Sequence, residues 1–161
     1  MNKSRKAREK KLGGQDAATL ASTSLFANVL RDRGRWEEAE KLDVQVMETS
    51  KTKLGADHPD TLTSMANLAS TYRNQGRWEE AEKLFVQVME TSKTKLGADH
   101  PDTLTSMNNL AFTWKGRGRR AGALVLMRSC AQARQRVLGL KHPHTLSSLA
   151  ALEAWSNDND I

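Results

Sequence analysis

The sequence lacks most features that mark secreted, disulfide-bonded or membrane-spanning proteins. It has one cysteine, three prolines and 5% aromatic residues in 161 positions. A lone cysteine, Cys130, cannot form an internal disulfide, which fits a reducing compartment. No apolar run approaches the roughly 20 residues of a membrane span, and none follows the basic first residues as it would in a signal peptide. We therefore predict a cytoplasmic protein that has no membrane partner.

Positive charge is concentrated at the start of the chain. The net charge is +6, yet residues 1–11 hold six basic residues and one acidic residue, so the remainder is close to neutral. We interpret residues 1–12 as a basic N-terminal arm or as the remnant of a preceding repeat helix. Nuclear import through this arm, and anion or nucleic-acid binding by it, are alternative hypotheses. They are not the leading ones, because a nucleic-acid interface usually needs a broader basic face.

Internal repetition is the strongest signal that the sequence does contain. "GRWEEAEKL" occurs at 34–42 and 76–84, and "LGADHPDTLTSM" occurs at 54–65 and 96–107. The spacing is 42 residues, and the third copy is more divergent. Residues 34–72 and 76–114 differ at four aligned pairs, which are Asp43/Phe85, Ala66/Asn108, Ser70/Phe112 and Tyr72/Trp114. The chain is therefore a tandem array.

Each repeat is predicted to form two helices. Pro59 suits a first helical turn, because its missing N–H has no helical partner there. Apolar residues then recur at helical spacing, and Gly76 interrupts the pattern before a second helix begins near Trp78. No segment has the pattern of a strand. The periodicity predicts helix pairs at 17–53, 59–95 and 101–137 and a closing helix at 143–156. The predicted domains are an arm at 1–12, repeats at 13–54, 55–96 and 97–138, a capping helix at 139–156 and a polar tail at 157–161.

The segment "LGADHPDTLTSMANLASTYRNQGRWEEAEKLFVQVMETSKTK" at 54–95 resembles the tetratricopeptide repeat, in the 42-residue form of kinesin light chains and nephrocystin-like proteins. The resemblance covers residues 13–156. It implies an all-α fold, a right-handed α-solenoid of antiparallel helix pairs whose stacked faces form the core. It also implies a non-enzymatic scaffold that binds peptides or partner proteins in a concave groove lined by the first helices.

The last part of the chain, "LMRSCAQARQRVLGLKHPHTLSSLAALEAW" at 126–155, is similar to the closing segment of such arrays in fungal NLR-like (STAND) proteins. In those proteins the array commonly follows a nucleotide-binding switch domain. The chain contains no phosphate loop. A detached sensor array of a switch NTPase is therefore an alternative function. Because the first repeat unit begins part-way, we also expect either a fragment of a longer array or a divergent cap.

The resemblance divides the helix residues into two sets. The packing set is Met65, Leu68, Ala69, Tyr72, Gly76, Ala81, Phe85 and Val88, with the counterparts Met107, Leu110, Ala111, Trp114, Gly118, Ala123, Met127 and Cys130. The set facing the groove, called the groove stripe below, is Asn28, Arg31, Ala66, Asn67, Ser70, Arg73, Asn108, Asn109, Phe112 and Lys115. Helical geometry also separates the stripe from the packing face. Its basic groups, amides and one aromatic ring predict a partner peptide that is acidic and carries an apolar side chain.

Residues that could carry other chemistry have simpler explanations. His58, His100 and His142 stand in equivalent repeats, too far apart to share one metal ion, so a role in capping and turns is expected. The adjacent acids Glu37–Glu38 and Glu79–Glu80 diverge on a helix and suit its first turn. Cys130 falls on the packing face. We therefore predict no enzyme activity, cofactor, metal or small-molecule substrate.

Asp43 is the exception on the packing face, where Phe85 and Met127 are its counterparts. An unpaired carboxylate is costly to bury. We expect Asp43 either to turn to the rim or to meet a basic neighbour. The alternative is a polar contact or a loosened first repeat.

Overall fold

The computed structural model describes residues 17–158, which form seven α-helices and contain no strand. The helices are α1 (Ala17–Asp32), α2 (Trp36–Leu54), α3 (Pro59–Asn74), α4 (Trp78–Leu96), α5 (Pro101–Gly116), α6 (Arg120–Leu138) and α7 (Pro143–Asn157). The all-α prediction is confirmed, and the helix pairs end within a residue of the predicted bounds. The basic arm at 1–12 and the end of the polar tail lie outside the described residues.

The chain divides into two compact units, Met1–Arg77 and Trp78–Ile161. In the first, called unit 1, α2 packs against both α1 and α3. In the second, called unit 2, each of the helices α4 to α7 packs against the next in the chain. The division falls between α3 and α4, inside the second repeat that the sequence predicts.

The three equivalent histidines cap first helices, as predicted. The Nδ1 atom of His58 accepts a hydrogen bond from the Asp60 amide, and Nδ1 of His100 accepts one from the Asp102 amide, each at 3.1 Å. His142 Nδ1 accepts from the amide of the residue two positions on at the same distance. A proline follows each histidine at the start of the helix. Imidazole thus satisfies an amide that has no helical partner.

The packing set forms the interior of both units, as predicted. Leu68 and Ala69 are buried in unit 1, and Phe85, Met127 and Cys130 are buried in unit 2. Three larger members are only half-buried, namely Tyr72, Met107 and Trp114. In unit 2, Met107 and Trp114 still pack against the buried cluster, which includes Trp155 of α7. A continuous apolar core therefore runs from α5 to α7.

The packing prediction is wrong for Gly76 and Gly118. Both glycines are exposed, and they have φ angles of +76° and +80°. They lie in the turns after α3 and α5, where a left-handed backbone conformation lets the chain reverse. Their role is conformational, since the turn needs a residue without a Cβ atom rather than an apolar contact.

No helix among residues 17–158 is both long enough and apolar enough to cross a membrane.

Candidate functional site

The groove stripe lies on α1 and α3 in unit 1 and on α5 in unit 2. None of its ten residues is fully buried, whereas the neighbouring packing residues are mostly buried. The stripe thus reaches the surface of each unit. Its side chains differ in what they already contact, and those contacts decide which of them could meet a partner.

Arg31 is tied into unit 1. Its side chain is 11% exposed, and Nη1 donates to the Asn67 carbonyl oxygen at 2.6 Å and to Thr71 Oγ1 at 3.0 Å. Its other terminal nitrogen, Nη2, donates to the side-chain oxygen of Asn28. Arg31 therefore links α1 to α3 in the unbound chain.

Asp43 lies inside unit 1 and not at its rim. It is 2% exposed, and its Oδ2 accepts a hydrogen bond from the Thr71 hydroxyl at 2.6 Å. Arg31 Nη1 lies 3.5 Å from the same oxygen. Burial raises the pKa of Asp43 above its ordinary value of 3.8, while the Thr71 hydrogen bond and the Arg31 charge offset part of that rise. Asp43 therefore has a basic neighbour, Arg31, and a polar contact, Thr71, and both were among the expected outcomes.

Arg73 and Arg31 are close enough in unit 1 to affect each other. Burial lowers the pKa of Arg73, and the positive charge of Arg31 lowers it further. The first-helix surface of unit 1 thus brings two predicted cationic residues of the stripe together, beside the amide of Asn67. The Asp43 carboxylate, 3.5 Å from Arg31, already offsets one of these two charges.

Phe112 and Lys115 of unit 2 meet the end of α7. The Phe112 ring packs edge-on against Trp155, with ring centroids 5.0 Å apart, and it remains 38% exposed. Lys115 Nζ lies 2.8 Å from a carboxylate oxygen of Asp158, and the hydrogen bond lowers the pKa of that carboxyl. Phe112 is therefore held in one orientation and still offers an apolar surface.

Asn108 is engaged with a residue that the sequence analysis missed. Its side-chain oxygen accepts from Nη1 of Arg134 at 3.2 Å, and Arg134 is 4% exposed. A signal for Arg134 was present, because Ser50 and Ser92 occupy the corresponding positions of the earlier repeats. A buried serine has been replaced by a large cation in the last repeat only.

Residues 17–158 contain no cluster of three or more His, Cys, Asp or Glu side chains that could hold a metal ion. Cys130 is buried, and burial raises the pKa of its thiol, although Arg134 and Ser148 act in the opposite direction. A thiol in such an environment is a poor nucleophile.

A separate concavity of about 1070 Å³ lies on unit 1 beside the turn between α1 and α2. Its lining includes Trp36, Glu40 and Arg77, and none of the stripe residues. Arg77 Nη1 lies 2.7 Å from Glu40, so its polar wall is held by an ion pair. It is an open surface depression on unit 1, and it contains none of the cation, amide and aromatic side chains that α5 presents in unit 2.

Comparison with known families decides the fold type. A model of the tetratricopeptide repeat matches residues 16–93 and 65–126. The chain belongs to the tetratricopeptide repeat family. Proteins built from tetratricopeptide repeats are generally non-enzymatic scaffolds for protein–protein interaction. No curated protein sequence matches the chain significantly.

Solved tetratricopeptide structures agree with this assignment. Two are crystal structures of a candidate kinesin light chain of Podosopora anserina with nearly identical TPR-like repeats, and the second of them is a variant. Both are 28% identical in sequence to this chain. Their TM-scores are 0.82 and 0.80, over 90% and 87% of this chain. A third is BtubC (BKLC) of P. vanneervenii, at 20% identity and a TM-score of 0.77 over 89% of this chain, which shows the fold alone. This chain spans 69%, 66% and 56% of those three chains. The resemblance to kinesin light chain-like tetratricopeptide repeats is thus confirmed, whereas the resemblance to NLR-like arrays is not shown.

Proposed function

We propose that this chain is a non-enzymatic scaffold that binds a peptide or a partner protein along the groove stripe. The observation that carries the proposal is the exposed Phe112 ring of unit 2, which packs edge-on against Trp155 and lies on the same helix as Lys115. The cationic side chains of Arg73 and Lys115, which are also on the stripe, attract an acidic segment. The amide side chains of Asn28 and Asn67, which lie on the same stripe, can hydrogen-bond the backbone of an extended peptide.

Within unit 2 the stripe has an aromatic residue, Phe112, together with Lys115 and the amides of Asn108 and Asn109. Phe112 replaces Ser70 of the earlier copy, and its contact with Trp155 fixes the ring while leaving 38% of it exposed. Aromatic residues held in place beforehand are frequent anchors at binding surfaces, because little conformational entropy is lost when a partner covers them. We therefore propose a partner segment with acidic residues and at least one apolar side chain.

The proposal is tested with an immobilised library of ten-residue peptides that vary in acidic and apolar content. We expect the wild-type chain to select acidic peptides with an apolar residue, and the variant Asn109→Ala with Lys115→Glu to bind them about tenfold more weakly or worse. The control is Lys83→Glu on α4, an exposed position outside the stripe that carries the same change of charge. Melting temperatures should stay close to that of wild type, because the pair of Lys115 with Asp158 is a surface ion pair.

Equal weakening by the stripe variant and by Lys83→Glu would mean that overall charge, and not the stripe, governs binding. The proposal would be refuted if the wild-type chain, the stripe variant and Lys83→Glu bound the same peptides with equal affinity. Of the two alternatives, the basic arm at 1–12 lies outside the described residues, and no observation favours a sensor array of a switch NTPase over the stripe. Both stay predictions.

A further inference from the structure

Residues of α4, α5 and α6 line a cavity of about 270 Å³ in unit 2, called the unit 2 cavity below. Its apolar lining includes Met89 of α4, Met107 of α5 and Leu126 of α6, each of them half-buried. It also includes Leu104, which is 1% exposed and belongs to the core of the unit. No residue of the groove stripe lines the cavity. The cavity is therefore distinct from the surface on which the proposed function rests.

Three residues of α6 that line the unit 2 cavity differ in size or charge from their counterparts on α4. The pairs are Ser129/Gln87, Ala133/Thr91 and Arg136/Thr94. The first two replacements put a smaller side chain on α6 and so leave space beside it. The third replacement adds a cation. The space and the charge of the cavity thus both depend on residues that distinguish the third repeat from the second.

The charge around the unit 2 cavity is positive. The 19 residues of α6 include four arginines and no acid, whereas α4 has four glutamates and three lysines. Lys93 and Arg136 are exposed cations of the cavity lining, and Asp99 is its one acid. A carboxylate oxygen of Asp99 lies 3.3 Å from Arg136 Nη2, which leaves one positive charge in excess. An apolar cavity with such an excess at its exposed edge favours a ligand that has an apolar body and one negative charge.

The volume of the unit 2 cavity sets the size of that ligand. An apolar cavity of about 150 Å³ in a protein interior admits benzene. A cavity of about 270 Å³ therefore has room for a longer apolar group, such as a chain of about eight carbon atoms. Met89 and Met107 suit this role, because unbranched methionine side chains repack readily around a bound group.

We propose that the unit 2 cavity binds a medium-chain carboxylate. The hydrocarbon chain lies among Met89, Met107 and Leu126, and the carboxylate lies beside Lys93 and Arg136. Burial of the chain supplies most of the affinity, while the exposed cations supply the preference for a negative head group. Because the cavity and the groove stripe share no residue, this inference stands whether or not the proposed function holds.

The first test uses sodium octanoate as the probe, with octan-1-ol and octylammonium chloride as matched probes that lack the negative charge. Octanoate should bind the wild-type chain saturably and shift the methyl resonances of Met89 and Met107 in NMR spectra. It should bind about threefold or more tightly than octanol, and octylammonium should bind more weakly than either. Absence of saturable shifts at these two methyl groups would overturn the site. Octanol or octylammonium binding as tightly as octanoate would overturn the carboxylate assignment.

The second test restores residues of the second repeat. Ser129→Gln with Ala133→Thr returns the two larger side chains, so we expect this double variant to fold and to bind octanoate at least about tenfold more weakly. Arg136→Thr and Lys93→Gln should each weaken octanoate binding about threefold and leave octanol binding unchanged. The control Lys83→Gln removes an exposed cation of α4 outside the cavity and should bind as the wild type does.

Melting curves recorded without ligand establish that each variant is folded. Equal octanoate affinity in the wild-type chain and in a folded double variant would overturn the cavity as the site. If the double variant does not fold, the two exposed charge variants decide the matter, because they leave the core intact. Octanoate affinity unchanged in both Arg136→Thr and Lys93→Gln would then overturn the proposal.

Discussion

Thr71 donates its hydroxyl hydrogen to Asp43 Oδ2 at 2.6 Å, which joins α3 to α2 inside unit 1. The counterparts of Asp43 in unit 2, Phe85 and Met127, are fully buried and apolar. Repeats of nearly identical sequence therefore differ in the chemistry of one interior position. The polar version requires Thr71 and Arg31 as partners, and this requirement can be measured.

Replacing Thr71 by valine should lower the free energy of unfolding by about 1–3 kcal/mol, because the buried Asp43 carboxylate then loses its closest hydrogen-bond donor. Thr113 at the equivalent position provides a matched control. It is also fully buried, but its hydroxyl donates to the Asn109 carbonyl oxygen of its own helix at 2.8 Å. Thr113→Val should change the free energy by less than about 1 kcal/mol, since the helix keeps its backbone hydrogen bonds. Urea denaturation measures both, and equal losses would contradict the role assigned to Thr71.

Replacing Asp43 by asparagine should change how stability depends on pH. The pKa of Asp43 is raised in the folded chain above its ordinary value of 3.8, chiefly by burial. The folded state consequently binds this proton more tightly than the unfolded state does. Binding of this proton therefore stabilises the folded chain at low pH. The stabilisation is lost as the pH rises from the pKa of Asp43 in the unfolded chain through its pKa in the folded chain. The stability of Asp43→Asn relative to wild type should therefore increase with pH across that window.

Denaturation of both proteins at a series of pH values from about 3.5 upward measures this difference. Glu90→Gln removes an exposed carboxylate on α4 and serves as the control for the loss of one acid. A difference between Asp43→Asn and wild type that stays constant with pH, or that falls as the pH rises, would be inconsistent with a buried carboxylate of raised pKa.

Two glycines of unit 2 should respond oppositely to alanine. A Cβ atom on Gly116 would lie 2.5 Å from the Trp78 ring, so Gly116→Ala must displace the indole. It should cost about 1–3 kcal/mol of stability. A Cβ atom on Gly122 would lie 3.5 Å from the Trp114 ring, an ordinary contact. Gly122→Ala should stabilise the chain by about 0.5–1 kcal/mol through helix propensity. Thermal denaturation measures both changes, and stabilisation by Gly116→Ala would show that the indole relaxes freely.

Much of the fold is predictable because its signals are local. The proline after each capping histidine marks where a first helix begins, and Gly76 marks where one ends. Helical spacing from Met65 to Ala69 identifies the buried face. These features depend on neighbours within a few residues along the chain, and they recur at a spacing of 42 residues.

The interior polar contacts could not be predicted in the same way. Asp43 was recognisable as an exception, but Thr71 lies 28 residues away from it and Arg31 lies 12 away. Only packing brings such partners together. Arg31 was assigned to the groove stripe, and the structure shows it largely enclosed by the contacts that link α1 to α3. For Arg134 the sequence shows only a cation where earlier repeats have Ser50 and Ser92. Its partners Asn108, His144 and Ser148 lie 10 to 26 residues away along the chain.

The most direct test of the central claim is to map a bound peptide by NMR. Amide chemical shifts of the wild-type chain are recorded with and without an acidic peptide selected from the library. We predict that the largest changes fall on the groove stripe, including Asn67, Asn109 and Phe112, and that Lys83 on α4 stays unchanged. Saturable binding with the largest changes on α2, α4 or α6, and none on the stripe, would contradict the account.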